Sequence, residues 1–260
     1  MKRIIDMVVT ANTPLSPMHS LLALTPATDP ASGAEALADT LPGQFVQVKI
    51  DGVDGVFLRR PISVNMVRGN VLELLVMKNG RGTTVLADIE VGTTVNVVLP
   101  LGHGFPDAAH AGKRPLLIGG GVGVAPLLYF GSKLAEAGVT PTFVLGAKTA
   151  DMLLQLDRFG AIAPTVVSTD DGSAGHHGMV TANPELDRDH DAWYCCGPTP
   201  MMKAVARMAR ERGITCHVSL ENMMACGVGA CLCCVEKTVQ GNKCVCTEGP
   251  VFNINELTWQ

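Results

Sequence analysis

The sequence predicts a chain of mixed class in three parts: an antiparallel β-barrel over 1–108, an α/β unit with a parallel sheet over 109–218, and a small metal-organised piece over 219–260. Three observations lead there. Short β-type runs broken by turn residues fill the first hundred positions, apolar strands then alternate with helical segments, and six of the nine cysteines crowd between Cys226 and Cys246.

In the first part the runs 45–50, 55–58, 71–76 and 94–99 are rich in Val, Ile, Leu and Phe and evenly spaced, as in a small barrel. After Arg114 the texture changes to a strand at 115–118, a helix at 127–137 and a strand at 142–145. Parallel neighbours need a crossover between them, so this alternation predicts a parallel sheet covered by helices. A late strand is expected at 194–196. A helix at 200–212 should follow, closed by Gly213 in the position after the last turn that favours positive φ. From Ser219 onward neither the strand nor the helix period survives, and a metal is expected to replace the core that so short a piece cannot build.

The bulk properties agree with more than one domain: 260 residues, 47% hydrophobic and only 17% charged. A mean hydropathy of +0.26 suggests surface hidden by cofactors or partner chains. The net charge of −4, the pI near 6.0 and the lack of any basic run exclude nucleic acid and an anionic membrane surface as partners. Residues 115–132 carry no charge over about the length of a membrane span. Glycines at 119, 120, 121, 123 and 131 with Pro126 instead predict a buried strand, a tight loop and a helix start. The first ten residues include Asp6 and no apolar stretch before a small-residue cleavage site, so a cytoplasmic location is expected. In that reducing setting a cysteine cluster is metal chemistry and not disulfides.

Cys226, Cys231 and Cys234 stand in C-x4-C-x2-C spacing with Cys246 further on, the plant-type [2Fe-2S] ligand pattern. Such a cluster needs a loop wrapped around it with backbone N–H groups aimed at sulfur, and Gly227 and Gly229 supply the conformational freedom. Cys244 competes with Cys246 for the fourth place. A structural zinc on Cys231, Cys234, Cys244 and Cys246 is the alternative, although a ribbon would repeat C-x2-C and the second pair here is C-x-C. Cys233 is additional to the pattern.

Elsewhere Arg60, Pro61, Ile62 and Ser63 follow a strand whose alternation sends Arg60 and Ile62 to one face and Ser63 to the other. An arginine there can clamp a pyrophosphate while a hydroxyl meets a ring nitrogen. Gly82 and Thr83 belong to a glycine loop opening a short helix at 85–88, with a plain turn as the alternative. Gly120, Gly121 and Gly123 lie between an apolar strand and a helix that Pro126 can begin, a plausible pyrophosphate site although proline replaces the last glycine of the dinucleotide fingerprint. Cys196 ends a strand at the carboxyl edge of the same sheet and is the catalytic candidate; otherwise Cys195, Cys196 and Cys216 are small buried hydrophobes. The polar loop around Asp170 and Asp171 either faces that cleft or is a solvated turn. Asp171 and Glu221 stand out as carboxylates, but no hydrolytic arrangement is present.

Taken together, the motifs at 58–63, 80–83, 119–123 and 196–200, and above all 224–231 with 245–252, resemble the ferredoxin-reductase superfamily. Within it they resemble the electron-transfer subunits of heteromeric dihydroorotate dehydrogenases. The resemblance covers nearly the whole chain. It implies FAD in the barrel, contacted by Arg60, Pro61, Ile62, Ser63, Val76, Met77, Lys78, Gly82 and Thr83, and NAD on the α/β unit. It implies a [2Fe-2S] cluster on Cys226, Cys231, Cys234 and Cys246, facing an FMN-containing catalytic subunit in an assembly of two plus two. Electrons would leave dihydroorotate at the partner's FMN, cross the cluster to FAD and reduce NAD, in pyrimidine synthesis. The segment 76–78 departs from the pattern by lacking an aromatic and an arginine. The alternative on the same scaffold is the small subunit of an NADH-dependent ferredoxin:NADP reductase or a related bifurcating complex, whose members often carry an aspartate among the four cluster ligands.

Overall fold

The computed structural model describes residues 2–27 and 30–259. Strands β1 (Arg3–Ser16), β2 (His19–Pro26), β3 (Phe45–Val48), β4 (Arg60–Arg68), β5 (Val71–Met77) and β6 (Thr94–Leu101) close into a barrel in the order β1-β2-β5-β4-β3-β6. Along β6 the alternation is plain: Val95, Val97 and Leu99 are buried while Thr94, Asn96 and Val98 face outward. Helices α1 (Pro30–Ala38) and α2 (Arg81–Ala87) lie in the connections.

β1 and β2 escape the sequence pattern for a physical reason. Of the fourteen residues of β1 only Met7 and Val9 are buried, so the inward alternation of Ile5, Met7 and Val9 covers only its first half and no later residue of the strand is buried. The run 55–58 is a correction in the other direction. It forms no strand, Gly52 and Gly55 take positive φ around it, and Phe57 is 93% exposed.

The second unit is a seven-stranded sheet in the order β10-β9-β8-β7-β11-β12-β15. Its strands are β7 (Pro115–Gly120), β8 (Thr142–Ala147), β9 (Thr165–Thr169), the two-residue β10 (His176–His177), β11 (Ala192–Cys196), β12 (Thr215–Ser219) and β15 (Val251–Asn253). All neighbours are parallel except β15, which runs antiparallel to β12. Helices α3 (Val124–Glu136), α4 (Leu156–Gly160) and α5 (Thr199–Glu211) make the crossovers. The uncharged stretch 115–132 is therefore β7, a turn and the first part of α3. Among the described residues no helix is long and apolar enough to cross a membrane. Gly213 closes α5 at φ +67°, and Ile214 N–H donates to Ala209 O at 2.9 Å, the closure expected at that glycine.

The C-terminal segment differs from its expectation. It forms a hairpin, β13 (Val235–Thr238) with β14 (Gly241–Cys244), a short helix α6 (Val245–Glu248), and the sheet's edge strand β15. Val245, Phe252, Ile254 and Leu257 are buried in one cluster with Trp193, Val205 and Val218. A segment too short for its own core thus borrows the neighbouring one, and a metal does not have to replace it.

Barrel and sheet are held together by packing of α3 on β4 and by a polar clasp. Arg158 Nη2 meets Glu73 Oε2 at 2.6 Å, and Gln155 Nε2 donates to Asn65 Oδ1 at 2.8 Å, with Asn65 wholly buried.

Candidate functional site

A cavity of about 250 Å³ opens where the barrel, the sheet and the C-terminal segment meet. That volume lies below the ~300–1,000 Å³ of pockets that enclose whole drug-sized ligands, so it fits a ring system whose remainder lies outside. The barrel contributes Phe45, Pro61, Ile62, Ser63, Leu75, Met77 and Thr83; the turn before α3 and its first residues contribute Val122 and Ala125; Leu220, Glu221, Asn222 and Met224 come from the segment after β12. Phe45 sits directly opposite Ser63 in the β3–β4 register, which is how a residue without any motif enters the site. Ile62 and Ser63 both reach the cavity despite strand alternation, because it wraps around the start of β4.

Apart from Thr83, which lines it, the other residues singled out from the sequence are placed around this cavity, not in it. The Arg60 guanidinium lies over Gly82, where a Cβ would come within 2.8 Å of Cζ, and Arg60 Nη1 donates to Leu58 O at 2.7 Å. Thr83 Oγ1 accepts from Asn79 N–H at 2.9 Å, fixing the entry to α2. Val76 is buried in the barrel core, and Lys78 Nζ pairs with Asp88 at 2.6 Å. Of the three glycines before α3, Gly121 alone takes positive φ, +55°, and a Cβ placed there would meet nothing within 4 Å. Gly120 abuts Met201 Sδ, and Gly123 abuts the backbone of Cys196 and Gly197. The glycine loop and the exit of β11 are thereby pressed together at the carboxyl edge of the sheet.

Cys196 is 2% exposed and does not line the cavity. Burial, together with the nearby Glu221 charge, holds its thiol well above the ordinary range, against a hydrogen bond with Ser219. A thiol so raised is held in its neutral form. The Asp170–Asp171 loop closes on itself: Asp171 Oδ1 accepts from Ser173 Oγ at 2.6 Å, and Ser173 Oγ accepts from Ala150 N–H at 2.8 Å.

Glu221 lines the cavity and stays exposed to solvent, and partial desolvation by the protein packed around it raises its carboxyl pKa from the ordinary 4.5. The folded chain therefore binds more protons than the unfolded one between 4.5 and the raised value, so stability falls as pH climbs through that window. Glu221→Gln removes the effect. The variant's Tm is expected to match the wild type below pH 4.5 and to exceed it above, by about 2 °C at most because cavity water screens the group. Thermal melts of the flavin-stripped chain across that range check it; a constant offset at every pH would refute it.

Behind Met224 the cysteine loop begins. Gly227 and Gly229 take φ of +70° and +83°, and Leu232, without the glycine's freedom, is held at +57°. Val228 N–H and Cys231 N–H donate to Cys226 Sγ, Gly229 N–H to Cys246 Sγ at 3.2 Å, and Cys246 N–H to Cys234 Sγ at 3.4 Å. The thiols come in two touching pairs, Cys226 with Cys231 and Cys234 with Cys246, the first open to solvent and the second largely enclosed. The Val228 N–H leads in drawing Cys226 down to about 6, while burial pushes Cys246 up to about 12. Among the described residues no three His, Cys, Asp or Glu side chains converge on one point. Two pairs suit two iron atoms, each needing two cysteine sulfurs, better than one tetrahedral zinc, and the sulfur-directed N–H groups fit a cluster.

A closed barrel and a parallel sheet that meet at a shared cavity, with a cysteine loop beginning just behind it, define an electron-transferring oxidoreductase of the ferredoxin-reductase fold. Residues 221–258 match the iron-sulfur cluster binding domain of dihydroorotate dehydrogenase B. The dihydroorotate dehydrogenase B (NAD(+)) electron transfer subunit of Geobacillus sp. (strain WCH70) is 41% identical over 223 residues, 83% of this chain and 86% of the relative. That of Shouchella clausii (strain KSM-K16) is 42% identical over 225 residues, with the same coverage. A solved NADH-dependent reduced ferredoxin-NADP oxidoreductase superposes with a TM-score of 0.84 at 30% identity, over 97% of this chain and 90% of that one. The chain belongs to the family of dihydroorotate dehydrogenase B (NAD(+)) electron transfer subunits.

Proposed function

We propose that this chain carries electrons between an FMN-containing catalytic dihydroorotate dehydrogenase subunit and NAD, in a cytoplasmic assembly of two chains of each kind. The observation that carries the reading is the shared wall. Met224, which lines the cavity, stands two residues before Cys226, so a ring system in the cavity and a cluster on the loop would be close neighbours. FAD and a [2Fe-2S] cluster, when bound, supply the exchange between hydride and single-electron chemistry.

The chain's own residues divide the remaining work. Pro61, Ile62, Ser63, Met77 and Thr83 form the barrel side of the cavity, and Arg60 with Gly82 holds its margin for a pyrophosphate. Val76 and Lys78 support that wall from behind. Gly120, Gly121 and Gly123 present the sheet edge to the dinucleotide, and Cys196 backs it as a neutral thiol. Cys226, Cys231, Cys234 and Cys246 hold the cluster. Met223, Val228 and Leu232, 85%, 46% and 64% exposed around that loop, offer the catalytic subunit an apolar surface.

The test mixes the purified chain with the FMN-type dihydroorotate dehydrogenase subunit of the same organism and follows NAD reduction by dihydroorotate. Reduction is expected only with both chains, while the chain alone reduces dyes from NADH and leaves dihydroorotate untouched. The likeness to the ferredoxin-NADP oxidoreductase supports a second reading, the small subunit of such a bifurcating complex. A silent mixture from a chain that still carries flavin and cluster would favour it.

A further inference from the structure

Gln47 on β3 is wholly buried, and neither Nε2 nor Oε1 has a hydrogen-bond partner. An unpaired amide in the interior is costly, and chains seldom keep one without a group to meet it. Its place indicates which group. Gln47 shares a strand face with Phe45 and pairs with Pro61 on the neighbouring strand β4, and both of these line the cavity. On its other side the amide presses against the cysteine loop: a Cβ at Gly227 would lie 2.8 Å from Gln47 Cγ and 2.9 Å from Nε2. Gly227 directly follows Cys226. Absence of a side chain at 227 is what lets the amide approach, with Nε2 as the polar atom nearest the loop.

We propose that Gln47 Nε2 donates a hydrogen bond to sulfur at the Cys226 end of the cluster, making Gln47 a positioning residue that sets the cluster's reduction potential from the outer face of the barrel wall. The inference rests on the cysteine ligands assigned above. The N–H groups already aimed at these sulfurs all belong to the cysteine segment itself. Gln47 adds a donor from the barrel, between the cavity wall and the loop. A reduced cluster carries one more negative charge than an oxidised one, so a donor to its sulfur favours reduction and raises the potential.

The test uses the holoprotein with Gln47→Met, which keeps length and volume but loses the donor, and Gln47→Asn, which withdraws it by one methylene. Iron and sulfide content are expected to stay at wild-type levels. The cluster's midpoint in an EPR-monitored titration should fall for both variants, by about tenfold in the one-electron equilibrium for Gln47→Met, or about 59 mV. The flavin midpoint should not move. Pulsed EPR of the reduced cluster, in a chain labelled with 15N at glutamine side chains, should show a coupling that Gln47→Met abolishes. An intact cluster whose potential ignores both variants, or a wild type without that coupling, overturns the inference alone. A wild-type chain without iron and sulfide overturns the ligand assignment and this inference with it.

Discussion

Cys226→Ser is expected to strip the cluster while leaving the chain folded. Cys226 lies in the solvent-open pair and its thiol takes N–H groups from Val228 and Cys231, so serine there disturbs no packed core. Loss of a supporting outer partner alone costs ~10–100-fold in metal affinity, and loss of the ligand itself should exceed that. Iron and acid-labile sulfide should therefore drop to background. Electron flow from dihydroorotate to NAD in the two-chain mixture should fall more than about 100-fold, whereas dye reduction by NADH, which does not need the loop, should stay within about twofold. Cys244→Ser is the matched control. Cys246, and not Cys244, has its sulfur against Cys234 and Gly229 N–H, so Cys244→Ser should keep the cluster. Loss of iron from Cys244→Ser with retention in Cys246→Ser would reverse that assignment.

Gly123→Ala is expected to destabilise the chain and weaken NADH binding. Gly123 is the N-cap of α3 with φ of −62°, so alanine is conformationally acceptable there but gains no interior helix propensity. The obstacle is steric. Its Cβ would stand 2.6 Å from the backbone carbon and oxygen of Cys196 and from Gly197 Cα, atoms that cannot swing aside as a side chain does. Overpacking of this kind costs ~1–3 kcal/mol. A comparable loss in denaturant-derived stability is expected, with KM for NADH rising about tenfold as the glycine loop is forced off the β11 exit, since ~1.4 kcal/mol is a factor of ten. Gly121→Ala separates sterics from backbone strain. It meets nothing within 4 Å but must hold φ of +55°, a cost of ~1–2 kcal/mol without a shift of α3. Equal or greater stability for Gly123→Ala would show that the two segments are not in close contact.

The cysteine loop was legible in the sequence because its geometry is local. Nine positions, 226–234, contain four cysteines, three of them in the C-x4-C-x2-C spacing, and both glycines whose positive φ turns N–H groups toward sulfur, and spacing alone encodes such a loop. The alternation of strands and helices after Arg114 was legible for a similar reason, since each buried parallel strand must be apolar throughout and must be followed by a crossover. Gly213 announced the end of α5 because few residues tolerate φ of +67° there.

Tertiary structure decided the rest. β1 carries too few buried residues to declare itself, and only closure against β2 and β6 makes it a strand. β15 is three residues long and becomes the sheet's edge by pairing with β12. The cavity draws Phe45, Val122, Glu221 and Met224 from stretches far apart in the chain, and no motif joins them. Gln47 is simply a polar residue on an apolar strand until the barrel places it against Gly227. The sequence by itself determined the cysteine spacing and the order of the three parts, because these depend on neighbours a few residues away; which side chains face one another across the junction depends on contacts between distant segments, and those exist only once the chain has closed on itself.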